Sequence, residues 1–235
     1  MMRQLLLFDD IIPPMRCGHD EAMSILRRLS ERGHIIGTDE AGRGALAGSV
    51  VAAAVCLTQS QEASLLSLGL RDSKRLSPKR RESLFAAMRD LRVTWRAFMG
   101  SVERVDRDNV LNASLWTMGE AVSRVARVSD GVACVIVDGN ESIPGLDIPQ
   151  WVLVKADDVI PCVSAASIVA KVIRDRLMVK LSAEYPGYFL EQNKGYPTQA
   201  HIQALGTLGM SSIHRRTFCR KFLHERGSKD ADNQC

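Results

Sequence analysis

Six consecutive apolar residues, Val132–Val137 (VACVIV), run without interruption and stop at Asp138. Successive strand side chains point to opposite faces, so a strand built from this run has no polar side and must be covered on both. Before it, Asn109–Val128 carries Leu111, Leu115, Met118, Val122, Val125 and Ala126 in a stripe at helical spacing. After it, Ser164–Leu181 reads as a long helix. A central strand between helices predicts a layered α/β domain.

Four more strands fit beside it. One opens at His34 and ends at Asp39-Glu40, and Gly48–Leu57 (GSVVAAAVCL) is the next. In 92–99, Val93, Trp95, Ala97 and Met99 alternate with Thr94, Arg96 and Phe98. Trp151–Val154 runs into Lys155-Ala156-Asp157-Asp158. Helices are predicted over 20–32, where Ala22, Ile25, Leu26 and Leu29 share a face, and from Ser77-Pro78, an N-cap with a first-turn proline. Arg71–Arg75 is a polar loop. The expectation is a mixed five-stranded sheet flanked by helices, with a helical C-terminal part. It occupies one domain, 21–226, between an N-terminal tail, 1–20, and a short disordered tail, 227–235.

Three of these strands end in acid: at Asp39-Glu40, at Asp138 and, just beyond the strand, at Asp157. At an effective dielectric of about 20, unit charges about 4 Å apart repel by roughly 4 kcal/mol. A cation between such groups removes that cost. In α/β sheets ligands collect at the carboxyl ends of strands, and Asp39 and Asp138 converge if their strands are parallel neighbours. Four carboxylates without a nearby Cys or His suit hard cations, magnesium or manganese. Two such ions about 3.5–4 Å apart are the usual arrangement for in-line phosphodiester cleavage. A solvated acidic turn is the plain alternative for any one of these sites.

The charge balance, +4 with a pI near 8.8, permits a polyanionic partner without demanding one. Cys17, Cys56, Cys134, Cys162, Cys219 and Cys235 form no C-x-x-C pair, which argues against zinc and against a disulfide framework. With no membrane-length apolar run and no signal peptide, a cytoplasmic protein, taken as a monomer, is expected.

Gly37-Thr38-Asp39-Glu40-Ala41-Gly42-Arg43-Gly44 resembles the signature of the ribonuclease HII family. So do Asp72-Ser73-Lys74, Val137-Asp138-Gly139-Asn140, Ser164–Asp175 and Asn193-Lys194-Gly195-Tyr196-Pro197-Thr198, in order from about 34 to Phe218. The resemblance implies an RNase H-like fold. It implies cleavage of RNA in RNA/DNA hybrids and incision 5′ of ribonucleotides embedded in duplex DNA, leaving 3′-hydroxyl and 5′-phosphate ends. It implies Asp39, Glu40, Asp138 and Asp157 as catalytic ligands of Mn2+ or Mg2+. The backbone of Gly42, Arg43 and Gly44 would read the 2′-hydroxyl, Tyr196 would stack on the next deoxyribose, and Lys74 and Lys171 would hold phosphates. The family's usual Lys-Gly-Asp-Ser stands here as Lys155-Ala156-Asp157-Asp158; the extra Asp158 makes the fourth ligand ambiguous, and spacing from Lys155 favours Asp157. Gln4-Leu5-Leu6-Leu7-Phe8 resembles the peptide with which bacterial proteins dock on the DNA sliding clamp; a tail packed on its own domain is the alternative.

Two other functions fit parts of the chain. Gly42-x-Gly44-x-x-Ala47 with Glu62 downstream matches a dinucleotide fingerprint, although Asp39 and Glu40 would repel a pyrophosphate. Arg215-Arg216, Arg220-Lys221 and Arg226 would serve a non-catalytic nucleic-acid binder, or form an ordinary solvated helix face. His34 reads as structural. His214 is open between packing and proton transfer, and Arg174 and Asp175 are expected to pair locally or with Asp72.

Overall fold

A computed structural model describes backbone residues 19–71 and 73–227 and, of these, the side chains of 24–71 and 73–222. The clamp-like pentapeptide Gln4–Phe8, Asp72 and the last eight residues lie outside the described residues.

The strands are β1 (His34–Ala41), β2 (Val50–Cys56), β3 (Thr94–Gly100), β4 (Val132–Asp138) and β5 (Gln150–Leu153), in the spatial order β3-β2-β1-β4-β5. β1, β2 and β3 are antiparallel, while β4 lies parallel to β1 and β5 parallel to β4. The sheet is mixed, as the sequence predicts. Thr38 sits opposite Val137, so one residue further on Asp39 and Asp138 come level.

The helices are α1 (His19–Ser30), α2 (Gln59–Ser67), α3 (Pro78–Asp90), α4 (Val102–Asp108), α5 (Val110–Ala126), α6 (Ala156–Val159), α7 (Pro161–Glu184), α8 (Leu190–Asn193), α9 (Gln199–Leu208) and α10 (Arg216–Gly227). α5 covers one face of the sheet, where Leu115, Met118 and Val122 pack on Ile36, Ala54, Val135 and Val137. α7 covers the other, with Ala165, Ala166 and Val169 against Ala53 and Val55, and Cys162 and Val163 against Cys134 and Ile136. By strand alternation, Asp39 (opposite Ala53) and Asp138 (two residues from Ile136) both belong to the α7 face. α7 crosses β1 very closely. A Cβ on Gly37 would lie 2.5 Å from backbone atoms of Cys162 and Val163, so only glycine admits the helix there.

Two boundaries differ from the sequence expectation. Thr58 and Gln61 form a capping box that starts α2, a helix the apolar pattern does not announce. Asn109, at φ +64°, divides α4 from α5 and caps the latter through the backbone N–H of Asn112. The end of α7, with α8, α9 and α10, forms a C-terminal lobe on the 45–49 loop, its core built from Leu46, Met178, Tyr188, Leu205 and Cys219. Cys56, Cys134, Cys162 and Cys219 are buried free thiols. Among the described residues, no helix is long and apolar enough to cross a membrane.

Candidate active site

The four acids approach from β1, the end of β4 and the turn after β5. Asp39 is 4% exposed, and its carboxylate accepts the N–H of Glu40 at 2.6 Å. Asp138 Oδ1 accepts the N–H of Ala156 at 2.7 Å. Lys155, left-handed at φ 60°, turns the chain sharply after β5 and so aims the N–H groups of α6 back at β4. Asp157 is buried whereas Asp158 is exposed, which settles which of the two faces inward. Ser164 Oγ clamps the Asp157 carbonyl at 2.6 Å, and Asp157 Oδ2 accepts a hydrogen bond from Lys74 Nζ at 3.0 Å.

Burial is the main force on these groups. It pushes Asp39 well above the usual carboxylate range, reinforced by the charges of Glu40, Asp138 and Asp157. Glu40 is raised to about 7 by burial, against the pull of Arg43 at 3.4 Å. Asp138 is raised to about 6, by burial first and the charge of Asp157 second. Burial opposes the charge on Lys74, but its bond to Asp157 and the field of Asp157, Asp39 and Asp138 outweigh that and raise its pKa. The carboxylates are turned to separate donors. Among the described residues, no three such groups therefore converge within reach of one ion.

Beyond Glu40 the turn Gly42-Arg43-Gly44 is fastened from behind. Arg215 Nη1 donates to the carbonyls of Gly42 (2.8 Å) and Arg43 (3.0 Å), while its Nε and Nη2 reach the Gly48 carbonyl. Arg174 donates to Ser49, Ala47 and Lys194 carbonyls. Both arginines are completely buried. Arg215 is thus neither a solvated charge nor a phosphate ligand, and Arg174 binds carbonyls rather than an acid, which corrects both expectations; Asp175 does pair locally, with Lys171. Gly42, at φ +99°, is required by this clasp, since a Cβ there would stand 2.0 Å from Arg174 Nε. Gly44 faces open space, and Arg43 is exposed.

Tyr196 is half-buried, its ring centroid 5.1 Å from the Arg174 guanidinium and 5.6 Å from Lys171 Nζ. Lys171 Nζ is bonded to Asp175 at 2.7 Å, and Asp175 also meets Arg81 at 3.6 Å. His34 is an exposed strand start, and His214 packs in the C-terminal lobe. The dinucleotide pattern fails structurally, because its glycines lead into the antiparallel strand β2 and Glu62 sits in α2.

The sequence profile described as Ribonuclease HII matches residues 36–221. The chain belongs to the ribonuclease HII family. A ribonuclease HII of Acaryochloris marina is 47% identical over 78% of this chain and 91% of its own length. The crystal structure of ribonuclease H2 from Pyrococcus horikoshii OT3 superposes with a TM-score of 0.66 at 26% identity, over 82% of this chain and 98% of that one. Ribonuclease HII in the PCNA:RNase HII complex from Archaeoglobus fulgidus gives 0.64 at 27%, over 78% and 93%. As a ribonuclease HII-family member the chain is a metal-dependent endonuclease of ribonuclease H type, acting on RNA paired with DNA.

The ribonuclease HII motifs contain Ser73, Ser167 and Arg174 without revealing what these side chains do at the candidate site. The Ser167 hydroxyl lies 2.8 Å from that of Ser73 and acts to lower the pKa of Asp39 against the effect of burial. Arg174 carries a readable signal, since Ala170, Arg174 and Met178 recur every four residues along α7 and all are buried. Arg215 carries none, because its basic neighbours read as surface.

Proposed function

We propose that this chain incises duplex DNA on the 5′ side of embedded ribonucleotides, besides cleaving RNA in hybrids, by hydrolysis that leaves 3′-hydroxyl and 5′-phosphate ends. Asp39, Glu40, Asp138 and Asp157 would hold two divalent ions, Mn2+ or Mg2+. The supporting observation is the level placement of Asp39 and Asp138 on one face, with Asp157 beside them held by a lysine ammonium. The fit to hard cations is chemical. All donors are carboxylate oxygens, burial works against their charge, and Lys74, whose side chain is 73% exposed, supplies the positive charge at Asp157. When bound, the ions supply Lewis-acid activation of water and stabilisation of the leaving oxygen. The protein's part is placement. β1 and β4 set two carboxylates level, Asp157 would complete the group, and Lys74 beside it would meet a phosphate.

Selectivity belongs to the rim. Carbonyls of Gly42 and Arg43 are consumed by Arg215, which leaves the outward backbone of the turn to meet the 2′-hydroxyl. Tyr196 stacks on the following deoxyribose, and Lys171 serves a phosphate nearby. Exposed Arg71, Arg75, Lys79 and Arg80 extend the positive rim around Lys74.

The test is a labelled duplex with one ribonucleotide, incubated with Mg2+ or Mn2+ and with a chelator. Metal-dependent incision immediately 5′ of the ribonucleotide supports the proposal. Cleavage of a long hybrid alone would remove the junction activity and keep the hybrid nuclease. A second proposal concerns the tail, where Gln4–Phe8 docks on the sliding clamp. It is supported by the motif and by the Archaeoglobus complex of a relative. Deleting residues 3–8 should abolish clamp binding and spare catalysis; unchanged clamp affinity would refute it.

A further inference from the structure

His201, on α9, and His214, just before α10, face each other inside the C-terminal lobe with their Nε2 atoms 3.1 Å apart. A hydrogen bond between two ring nitrogens needs one N–H and one lone pair, so this contact has a direction. The outer nitrogens fix it. His214 Nδ1 lies 3.0 Å from the backbone N–H of Ser211, which can only donate, and 2.8 Å from the Ser211 hydroxyl. Its proton therefore sits on Nε2. His201 Nε2 must then accept, which puts the His201 proton on Nδ1. That atom lies 3.0 Å from the carbonyl oxygen of Tyr196, which can only accept. All four ring nitrogens are satisfied with both rings neutral. Burial pushes both pKa values down, that of His214 to about 4, and so keeps the rings neutral.

The far end of this chain is the segment beside the catalytic turn. The Tyr196 N–H donates to Asn193, and its carbonyl also receives the Thr198 N–H. The preceding Gly195 carbonyl receives the N–H groups of Leu46 and Ala47, which continue from the Gly42-Arg43-Gly44 turn. Ala47 in turn bridges to His214 itself. The two imidazoles thus close a loop of bonds joining Ser211, Tyr196 and the turn.

We propose that His201 and His214 are positioning residues for substrate selection. Through a directed pair of neutral imidazoles they fix the height of Tyr196 over the rim, and with it the discrimination between a single embedded ribonucleotide and a continuous hybrid. This rests on the junction-reading role given to Tyr196 above.

The experiment compares kcat/KM on a single-ribonucleotide duplex and on a long hybrid for the wild type, Tyr196→Ala, His201→Phe and His201→Asn, with thermal unfolding of each. Phenylalanine fills the space but cannot hold the Tyr196 carbonyl, so single-ribonucleotide incision should fall about tenfold more than hybrid cleavage. The asparagine side-chain N–H occupies the position of Nδ1 and should restore most of the ratio. Equal losses on both substrates in His201→Phe, beside a selective loss in Tyr196→Ala, would overturn the proposal and leave Tyr196 as the reader. Equal losses in Tyr196→Ala as well would overturn the junction reading too. Nitrogen-15 NMR of the wild-type histidine rings is independent of variant folding. It should show His214 protonated on Nε2 and His201 on Nδ1, and any other pair of tautomers would overturn the directed contact.

Discussion

Glu40 is a carboxyl that costs the fold something whenever it is charged. Its pKa of about 7 lies above the ordinary 4.5, so the contribution of its neutral form is full below pH 4.5 and disappears as pH rises through 7. Glu40→Gln should remove that limb from the pH dependence of the metal-free protein, an effect on the order of 3 kcal/mol between pH 4.5 and 7. Urea unfolding of the two proteins across this range measures it. Asp39→Asn and Asp138→Asn remove one like charge from the same field. Each should lower turnover by more than about 100-fold, since metal charge stabilisation is worth several kcal/mol. In chelator their melting temperatures should equal or exceed that of the wild type. Retained activity in either variant would sink the ligand assignment.

At the scale of elements, the turn after β1 depends on two arginines that come from α7 and from the start of α10. Arg215→Met would leave the carbonyls of Gly42, Arg43 and Gly48 without their donor in a dry site. A loss of about 3 kcal/mol is expected, and a fall in melting temperature of roughly 6–12 °C for a chain of this size. Gly42→Ala should lose activity with a smaller fall in stability, about 1–3 kcal/mol, through strain at positive φ and collision with Arg174. A melting curve and a hybrid-cleavage rate check both. The contrast between legible and illegible parts follows from the same chemistry. Apolar runs reveal the strands because burial demands a pattern, and adjacent Asp39 and Glu40 betray themselves because repulsion between neighbours needs a reason. An arginine spent on carbonyls looks, in sequence, like an arginine in water. The His201–His214 contact joins a residue of α9 to one in the segment ahead of α10, and neither local periodicity nor a motif spacing signals it. The helix α2 was hidden for another reason: its start is set by the capping box, while Leu65 is its buried residue.

For the whole molecule, acids and histidines oppose each other in pH. His214, lowered from 6.5 to about 4 by burial and by His201, contributes stability that is complete above pH 6.5 and is lost as pH falls through 4. Glu40, Asp138 and Asp39, all raised by burial first, act in the reverse sense over an overlapping range. The three acids together outweigh the histidines, so the metal-free protein should lose stability as pH rises from 4.5 to 7, with His214 offsetting part of the fall. Saturating Mn2+ stabilises the ionised acids and should make stability rise clearly with pH over the same interval. Denaturation at pH 5 and 7.5, with and without metal, decides it; stability that rises with pH in the absence of metal would be the wrong outcome.

The clasp on the turn after β1 also has a bearing on biosynthesis. The donor Arg215 and the acceptor Gly42 are 173 residues apart, so a chain emerging from the ribosome presents its acidic strand end long before the side chain that shapes the neighbouring turn exists. Closing so large a loop is slow and comes late. On the proposed assignment, a polypeptide cut short ahead of Arg215 would carry all four carboxylates without the side chain that fastens the turn beside them.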